Sequence, residues 1–292
     1  MVIRLHPLFA PKLWGGNRIR AIYGDHVSSK IGECWGLSAH KSASNLVANG
    51  PYVGTTLREL YQKERPLFGN YPAPEFPILM KLIDAADDLS IQVHPNEAYA
   101  QKLEHQHGKD ECWYVLDAAG DASIIIGHNA SSPEEFLRFV ENGDYEGLMQ
   151  RHPVKPGDYF YIPAGTVHAI CKDTLLFEVS QSSDLTYRLY DYDRLNDGHP
   201  RELHLEKALA VIDYQNKELI RTHQARFFKF QLMDNNGQRG VTADRYGDYL
   251  HVLSGSGTID GETLKAGDFL MVPALEKYAL QGSFKYVLVN LM

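Results

Sequence analysis

The chain contains few cysteines and no long apolar run. Its 3 cysteines, Cys34, Cys112 and Cys171, are widely spaced and form no CxxC pair. An odd, dispersed set of thiols argues against a disulfide framework and against a zinc knuckle. The N-terminal stretch 1–16 lacks the apolar segment of a signal peptide, and no window approaches the length of a membrane span. We therefore expect a cytoplasmic protein with no membrane partner.

Positive charge is also in short supply. The sequence has 29 lysines and arginines against 37 aspartates and glutamates, which gives a formal net charge of -8. This balance argues against nucleic acid or an anionic membrane surface as a partner. An anionic substrate would need a local cluster of basic residues that opposes the charge of the whole chain. The 292 residues, 44% of them hydrophobic, suffice for one large or two modest domains.

Short strand-like segments dominate the chain, separated by glycine, proline, asparagine and aspartate. They predict strands over 79–83, 89–94, 113–116, 123–126, 175–179, 249–253 and 286–291. Helices are fewer, and the pattern predicts them after the capping-box residue Thr56, from Ser132-Pro133, over 96–107 with Gly108 at the end, and over 202–215. The sequence therefore indicates a mainly β fold with a few short helices.

The segment from Gly157 to His168, GDYFYIPAGTVH, has the features of a hairpin edge in a small β-barrel. Gly157 tolerates a positive φ, and the side chain of Asp158 is suited to hydrogen-bond the backbone of the turn. An aromatic and β-branched run follows, Pro163 ends the strand, and Gly165 reverses the chain. His168 then begins the next strand with its imidazole free to face inward.

A similar pattern recurs near the C-terminus. KPGDYFYIPA (155–164) matches KAGDFLMVPA (265–274), and the strands WYVL and HVLS that precede them also match. Two copies of one β-barrel unit are the simplest account of this repeat. We therefore predict an N-terminal catalytic domain over 1–205 and a degenerate C-terminal domain over 206–292.

The two copies differ in chemistry. Tyr278 stands where the first copy has His168, and Asp248 stands near the position of Glu111. The second copy is therefore expected to lack the site.

Donors for a metal site lie upstream of the hairpin. Residues two apart in a strand point to the same face, so Gln92 and His94 share one side, and Lys109 and Glu111 share another. With His168 they offer two imidazoles, a carboxylate and an amide oxygen. Such a set of nitrogen and oxygen donors suits zinc, iron, manganese or cobalt, and the absence of thiolates favours a catalytic site.

Four segments resemble type I mannose-6-phosphate isomerases in their short bacterial form. They are PILMKLIDAADDLSIQVHPN (77–96), GKDECWYVLDA (108–118), IPAGTVHAI (162–170) and SSDLTYRLYDYDR (182–194). The resemblance runs in order through most of the chain, from the region of Trp14 to the second repeat. The turn pattern alone would indicate only a cupin, but the four segments together are specific.

The resemblance implies a double-cupin, jelly-roll fold with one divalent metal per chain, identified in this family as zinc. The ligands would be His94, Glu111 and His168, with Gln92 as the fourth. The implied reaction is the interconversion of mannose 6-phosphate and fructose 6-phosphate through an enediolate. The expected partner is therefore a small phosphosugar.

The resemblance also implies roles for three basic residues. Arg188 matches an active-site arginine, and Lys81 and Lys109 match lysines that line the substrate pocket. The planar fork of Arg188 suits either phosphate or the enediolate oxygens. A lysine beside a cation has its pKa lowered, which suits acid–base chemistry as well as phosphate binding. We therefore predict that Arg188 and Lys109 are catalytic and that Lys81 and Arg188 bind substrate.

The chain departs from longer family members at one position. They have a histidine immediately before the lysine of the Lys-x-Glu pair, where this chain has Gly108. A ring-opening role for that histidine does not carry over, and His105 and His107 are the candidates to replace it.

Other interpretations remain open at this stage. A different metal-dependent cupin, such as a phosphoglucose isomerase or an iron dioxygenase, would share the metal ligands, and a sugar-binding cupin would bind without turnover. Asp184, Tyr190 and Glu33 are candidates either for supporting the site or for packing. The identity of the proton-transferring base, the metal loaded in the cell and the oligomeric state do not follow from the sequence.

Overall fold

The computed structural model describes residues 1–215, 219–221 and 225–292. The strands are β1 Ile3–Arg4, β2 Leu8–Gly16, β3 Ile31–Leu37, β4 Ala39–His40, β5 Ala43–Ser44, β6 Ile78–Ala85, β7 Ile91–Val93, β8 Glu111–Ala118, β9 Ser123–His128, β10 Met149–Pro153, β11 Tyr159–Ile162, β12 His168–Ile170, β13 Thr174–Gln181, β14 Tyr187–Tyr190, β15 Leu195–Asn196, β16 His199–Pro200, β17 Phe228–Thr242, β18 Asp248–Ile259, β19 Glu262–Lys265, β20 Phe269–Val272 and β21 Lys277–Leu291. The helices are α1 Arg18–Tyr23, α2 Leu57–Lys63, α3 Glu97–Leu103, α4 Pro133–Glu141, α5 Tyr145–Leu148 and α6 Leu205–Leu209, with short 3-10 helices at Gly50–Tyr52 and Arg65–Phe68. The chain is mainly β, as the sequence predicts.

Three large sheets make up most of the fold in the described residues, and β4-β5 and β15-β16 form two further two-stranded sheets. Sheet A has the strand order β10-β9-β12-β7-β14, and sheet B has the order β11-β8-β13-β6-β2-β3. Sheet C has the order β1-β20-β18-β21-β17, with β19 paired to β18. None of these orders returns to its first strand within the described ranges, so the predicted pair of separate barrels is not confirmed. The arrangement is one of stacked open sheets.

Sheets A and B enclose one hydrophobic core. Ile124 and Ile170 from sheet A pack in the same cluster as Trp113, Phe160 and Leu176 from sheet B. Every residue of β6 and β13 is buried, so the centre of sheet B is covered on both faces. This explains why these two strands read as nearly continuous apolar runs in the sequence.

The opposite face of sheet B packs against sheet C. Phe177 of β13 belongs to one buried cluster with Phe230, Phe269 and Val287 of sheet C. Strand β1 also pairs with β20, with Ile3 in register with Met271. A common hydrophobic core, together with the pairing of the N-terminal strand β1 with β20, therefore connects the two ends of the chain.

The repeated hairpins have the same local geometry. Gly157 and Gly267 adopt φ values of 93° and 92°, which a side chain at these positions would strain. The Asp158 carboxylate accepts a hydrogen bond from the backbone N–H of Lys155 at 2.9 Å, and the equivalent aspartate of the second copy does the same at 2.9 Å. The predicted turn chemistry is confirmed in both copies.

The strand register refines the alignment of the two copies. Glu111 and Asp248 each pair with the last residue of the strand that follows the turn, β11 or β20. Asp248 therefore occupies the position of Glu111, as predicted. Counting onward from this pair, Trp113 corresponds to Leu250, so the alignment of WYVL with HVLS is wrong by one residue.

Two helix starts are confirmed in detail. The Thr56 side chain accepts from the backbone of Glu59 while the Glu59 carboxylate accepts from the backbone of Thr56, which completes a capping box. Ser132 caps α4, and Pro133 is its first residue. None of the helices in the described ranges has the length and apolar character needed to cross a membrane.

Two other predicted helices are shorter than expected. Helix α3 begins after Asn96 as predicted but ends at Leu103, because His105 adopts a positive φ of 53° that breaks the helix before the predicted glycine. Helix α6 covers only five of the predicted residues. The backbone N–H of His204 donates to the carbonyl of Arg188 at 2.7 Å. The segment before α6 is thus held beside β14 instead of extending the helix.

Candidate metal centre and active-site cavity

The three strongest donors come together between sheets A and B. His94 follows β7 and His168 begins β12 in sheet A, whereas Glu111 begins β8 in sheet B. Nε2 of His94 lies 3.2 Å from Oε1 of Glu111, and Nε2 of His168 lies 3.6 Å from Oε2. One ligand atom from each residue lies within 4.8 Å of the others, and all three side chains are buried. The fold therefore forms the predicted three-residue cluster.

Backbone carbonyls orient both imidazoles. Nδ1 of His94 donates to the carbonyl of Leu185 at 2.8 Å, and Nδ1 of His168 donates to the carbonyl of Thr166 at 2.8 Å. Because a carbonyl can only accept, each Nδ1 carries the proton and each Nε2 presents its lone pair to Glu111. Metal-binding histidines are typically held in this way.

The hydrogen bonding of the cluster fits a bound cation. Nε2 of His94 and Oε2 of Glu111 are buried, and neither has a hydrogen-bond partner within the described residues. Oε1 of Glu111 is met by Nζ of Lys109. Buried polar atoms without a partner are costly and rare in folded proteins. A divalent cation would engage both unpartnered atoms at once. The residues present therefore fit a metal with nitrogen and oxygen ligands.

The charge states of the cluster also fit metal binding. Burial lowers the pKa of His168 to about 4 and also lowers that of His94. Burial alone would raise the pKa of Glu111, but the charge of Lys109 and the two imidazoles hold it well below its usual range. Near neutral pH the cluster thus has neutral imidazoles and an ionised carboxylate, which are the forms that bind metals.

Gln92 lies at the edge of this cluster. It pairs with His168 across β7 and β12, and its Nε2 lies 3.4 Å from Nε2 of His168. The two ends of a glutamine amide exchange places by a half-turn of the side-chain torsion, so its oxygen can occupy the same position. Gln92 is therefore placed to offer a fourth donor.

Lys109 links the cluster to a second buried carboxylate. Its Nζ lies 2.5 Å from Oε1 of Glu111 and 3.7 Å from Oε1 of Glu178. Burial lowers the pKa of Lys109, but the two carboxylates outweigh this effect and raise it. Burial and the charge of Glu111 raise the pKa of Glu178. The protein's own charges thus keep Lys109 protonated and oppose the lowered pKa expected beside a cation.

A cavity of about 320 Å³ opens beside the cluster, within the size range of small-molecule sites. Five cationic side chains line it, namely those of Lys12, Lys81, Lys109, Arg188 and Arg201. Three carboxylate side chains also line it, those of Glu33, Glu178 and Asp184. The cavity therefore contains the local basic cluster that an anionic substrate requires in a chain of net negative charge.

Lys81 is held on the floor of this cavity by Glu33 and an aromatic ring. Its Nζ lies 3.9 Å from Oε2 of Glu33 and 4.3 Å from the centre of the Trp35 ring. The indole N–H of Trp35 donates to Glu33 at 2.8 Å, and Nζ of Lys12 lies 3.4 Å from the same carboxylate. Burial raises the pKa of Glu33, but Lys81 and Lys12 lower it to about 2. Glu33 is therefore ionised and fixes both lysines.

Arg188 reaches the cavity from β14 in sheet A, where it is in register with Gln92. Its Nη1 donates to the carbonyl of Glu202 at 2.8 Å, and its buried Nε has no hydrogen-bond partner within the described residues. Burial and the nearby charge of Arg201 lower its pKa. The guanidinium therefore has donor capacity that remains available to a ligand.

Three charged lining residues were not singled out from the sequence. Glu178 is the only charged residue of β13, TLLFEVSQ, and a lone charge in an apolar strand is a signal that could have identified it. Lys12 and Arg201 lie outside any motif, and nothing local in the sequence distinguishes them from surface cations.

The candidates to replace the missing histidine lie elsewhere. A Cβ atom at Gly108 would lie 2.4 Å from the backbone nitrogen of Glu97, so a histidine would not fit there without a backbone shift. His105 and His107 line a separate cavity. His107 is held there by Glu97, 2.9 Å from its Nδ1, and by Glu75, 3.6 Å from its Nε2.

The remaining candidates divide between the cavity and the core. Asp184 and Glu33 line the cavity. Tyr190 stacks on Tyr145 with ring centres 3.9 Å apart, and it packs against the hydrophobic cluster outside sheet A. Its role in the structure is therefore packing.

Comparisons with known proteins identify the family of this chain. A family model for the catalytic domain of type I phosphomannose isomerase matches residues 2–126. The probable mannose-6-phosphate isomerase GmuF of Bacillus subtilis is 41% identical, over 97% of this chain and 97% of its own length. The mannose-6-phosphate isomerase ManA of the same organism is 39% identical, over 98% of this chain and 97% of its own.

A solved structure extends the agreement to the whole fold. The crystal structure of the mannose 6-phosphate isomerase from Bacillus subtilis matches with a TM-score of 0.94 and 39% identity, covering 99% of each chain. Sequence and structure thus agree over nearly the full length, including both copies of the repeated hairpin. The chain belongs to the type I mannose-6-phosphate isomerase family.

Proposed function

We propose that this protein interconverts mannose 6-phosphate and fructose 6-phosphate in a metal-dependent isomerisation. The observation that carries the proposal is the buried His–Glu–His cluster beside a cavity with five cationic side chains. Membership of the family supports the same reaction, because its curated relatives are named for it. A phosphosugar fits a small cavity of this charge.

We propose that His94, Glu111 and His168 hold one zinc ion per chain, with Gln92 as the fourth ligand. The unpartnered donor atoms and the carbonyl-bound Nδ1 atoms support this assignment. When bound, the cation supplies positive charge beside the sugar oxygens at C1 and C2, where negative charge develops during the reaction. The carbonyls of Leu185 and Thr166 keep both imidazoles in the orientation that this requires.

The reaction removes a proton from C2 of the aldose and returns a proton to C1. One further proton moves from the C2 oxygen to the C1 oxygen, so no atom or electron is gained or lost overall. We assign Lys109 and Arg188 as the groups that stabilise the negative charge on these oxygens. Nζ of Lys109 keeps its proton because Glu111 and Glu178 face it, so it donates a hydrogen bond to a sugar oxygen.

Lys81 and Arg188 are assigned to substrate binding. Lys81 projects from sheet B with its position fixed by Glu33 and Trp35, and Arg188 projects from sheet A. The two residues therefore approach the cavity from opposite walls. A phosphosugar bound between them is oriented at two points, which lowers the entropic cost of reaching the reactive geometry.

We also propose a division of labour along the chain. Residues 1–205 form the catalytic cupin unit, and residues 206–292 form a degenerate second copy. The common register of the two hairpins supports this descent from one repeated unit. The second copy supports the first by covering the outer face of sheet B.

The test is an isomerase assay on the purified protein together with elemental analysis. We expect turnover of mannose 6-phosphate, about one zinc ion per chain, loss of activity with a chelator and recovery when zinc is restored. Absence of turnover after metal is restored would overturn the proposal.

The same assay separates the other interpretations. An iron dioxygenase would consume oxygen, so activity that persists under anaerobic conditions excludes it. A sugar-binding protein would show saturable binding of the phosphosugar without conversion. A phosphoglucose isomerase would convert glucose 6-phosphate at least as well as mannose 6-phosphate.

A further inference from the structure

The positive charge of the cavity is not evenly available to a ligand. Lys12 and Lys81 both face the ionised carboxylate of Glu33, and Lys109 lies between two buried glutamates. The three lysines are therefore accompanied by three carboxylates. This side of the cavity is close to neutral before any ligand or metal binds.

The arginine side of the cavity is different. Asp191 is buried and accepts from Nε of Arg201 at 2.7 Å, from Nη2 of Arg201, and from Nη2 of Arg194 at 2.7 Å. Arg188 lies beside this group, because its Nη1 donates to the carbonyl of Glu202, the residue that follows Arg201. Arg194 and Arg201 thus share one buried carboxylate, and Arg194 has a second carboxylate in Asp87, 3.6 Å from its Nη1.

Only part of this charge can reach a ligand. All the donors of Arg194 that make hydrogen bonds are directed to Asp191 and to the carbonyl of Asp88, and Arg194 does not line the cavity. Arg201 does line it, and its side-chain hydrogen bonds within the described residues use Nε and Nη2, which leaves Nη1 for a ligand. Arg188 likewise lines it with an unused donor at Nε. Arg188 and Arg201 are therefore two cations of the cavity with unused donors.

We propose that Arg201 binds the phosphate group of the substrate beside Arg188, and that Asp191 positions Arg201 for this task. The proposal rests on the proposed function in that the substrate carries a phosphate. A phosphate dianion accepts paired hydrogen bonds from guanidinium groups. Bound here, it would accept from the donors of Arg201 that Asp191 leaves unused.

The location of Arg201 in the fold supports this role. It directly follows the hairpin of β15 and β16, Leu195–Asn196 and His199–Pro200, which is exposed on the surface. Its two bonds to Asp191 fix the guanidinium plane before substrate arrives. Preorganisation of this kind lowers the entropic cost of binding. The phosphate would then lie at the cavity mouth, with the sugar directed toward the metal cluster.

The first experiment compares Arg201→Met with wild type. We expect KM for mannose 6-phosphate to rise by about tenfold to a hundredfold with a much smaller change in kcat, because the lost contact is made equally in the ground state and the transition state. Inhibition by inorganic phosphate should weaken by a similar factor. Arg201→Lys should recover part of the loss. Zinc content should match that of wild type in both variants.

Arg20→Met is the matched control. Arg20 also pairs with one aspartate, Asp25, at 2.8 Å, but it lies on the surface away from the cavity. This variant should keep the wild-type KM and phosphate inhibition. If Arg201→Met also keeps both values, the proposal is wrong.

A double-mutant cycle tests the positioning role of Asp191. As a single substitution, Asp191→Asn should raise KM. In the Arg201→Met background it should have little further effect on KM, because Asp191 acts through Arg201. Equal effects in both backgrounds would show that Asp191 supports the fold instead.

Failure of the proposed function can be told apart from failure of this inference. Calorimetric titration with inorganic phosphate requires no turnover, so it compares wild type with Arg201→Met even if mannose 6-phosphate is not the substrate. Weaker phosphate binding in the variant supports the inference in either case, and unchanged binding overturns it.

Discussion

The two copies of the repeated hairpin have the same backbone geometry, but they differ in how the hydrogen-bonding groups of their buried side chains are satisfied. Glu111 and Asp248 occupy the same register position, and His168 and Tyr278 each lie five residues after the proline that ends the hairpin strand. In the second copy the hydroxyl of Tyr278 donates to Oδ2 of Asp248 at 2.7 Å, and Asn290 donates to Oδ1 at 2.7 Å. The second copy thus satisfies its carboxylate internally.

The first copy leaves two of the corresponding atoms without such partners. Oε2 of Glu111 and Nε2 of His94 have no hydrogen-bond partner within the described residues, while Oε1 of Glu111 is met by Nζ of Lys109. The strand register places Ala243 where the first copy has His94. The same backbone geometry can therefore bury a polar cluster that is satisfied internally, as in the second copy, or one with unpartnered atoms, as in the first. The first copy is the one prepared to bind a metal.

The largest expected effect is at His168. His168→Ala should remove bound zinc and lower kcat/KM by at least about 1,000-fold, because the cluster loses a ligand and the cation contributes several kcal/mol to charge stabilisation. Elemental analysis and the coupled assay measure the two effects. Tyr278→Phe, at the matching position, should keep both metal and activity. A metal-free His168→Ala enzyme with full activity would contradict the comparison.

The next effect separates substrate contacts from metal ligands. Arg188→Ala should lower kcat/KM by about 100-fold or more while zinc content stays at the wild-type level, because a charged donor is lost from the cavity without a change in the cluster. Parallel kinetics and elemental analysis test this. Wild-type turnover in Arg188→Ala would show that its assigned role is wrong.

A stability measurement addresses the second copy. Tyr278→Phe should lower the free energy of unfolding by about 1–3 kcal/mol, since the buried carboxylate of Asp248 loses a donor. Urea denaturation at neutral pH measures the loss. An unchanged unfolding midpoint would mean that the hydrogen bond is not what stabilises this copy.

The smallest effect concerns pH. His251 in sheet C packs against Phe177 and Phe269, with ring centres 5.1 and 4.1 Å away, and burial lowers its pKa to about 3. Since the unfolded chain binds this proton near pH 6.5, stability is complete above that value. It falls as the pH drops toward 3, with a slope of up to about 1.4 kcal/mol per pH unit. His251→Phe should reduce this slope, whereas His26→Phe, at an exposed position, should not. Equal slopes in the two variants would contradict the assignment of this pH dependence to His251.

The metal cluster could be predicted from the sequence because its signals are local. Gln92 and His94 are two residues apart in a strand, and His168 follows a turn whose glycines and proline mark its geometry. These relations depend on the period of a β-strand and on turn chemistry, which a single segment specifies. The family resemblance then identified His94 and His168 as the metal ligands among the 13 histidines.

The rest of the cavity depends on contacts between distant segments. Arg201 is recognisable as a lining residue only once its bonds to Asp191 and its position beside Arg188 are seen. The same kind of contact shortened α6, because the hydrogen bond from His204 to β14 outweighs helical periodicity. Long-range contacts of this type leave no pattern in the local sequence, so neither could be derived from it.

The pairing of β1 with β20 has a consequence for how the chain folds during synthesis. Ile3 is synthesised long before its strand partner Met271, because translation proceeds from the N-terminal to the C-terminal residue. The outer face of sheet B packs on sheet C, so it also stays uncovered until the strands of sheet C are synthesised. Residues 1–205 therefore cannot complete their fold before residues 206–292 are made. A nascent chain stopped near residue 205 would present an apolar sheet face and an unpaired strand, and both promote aggregation.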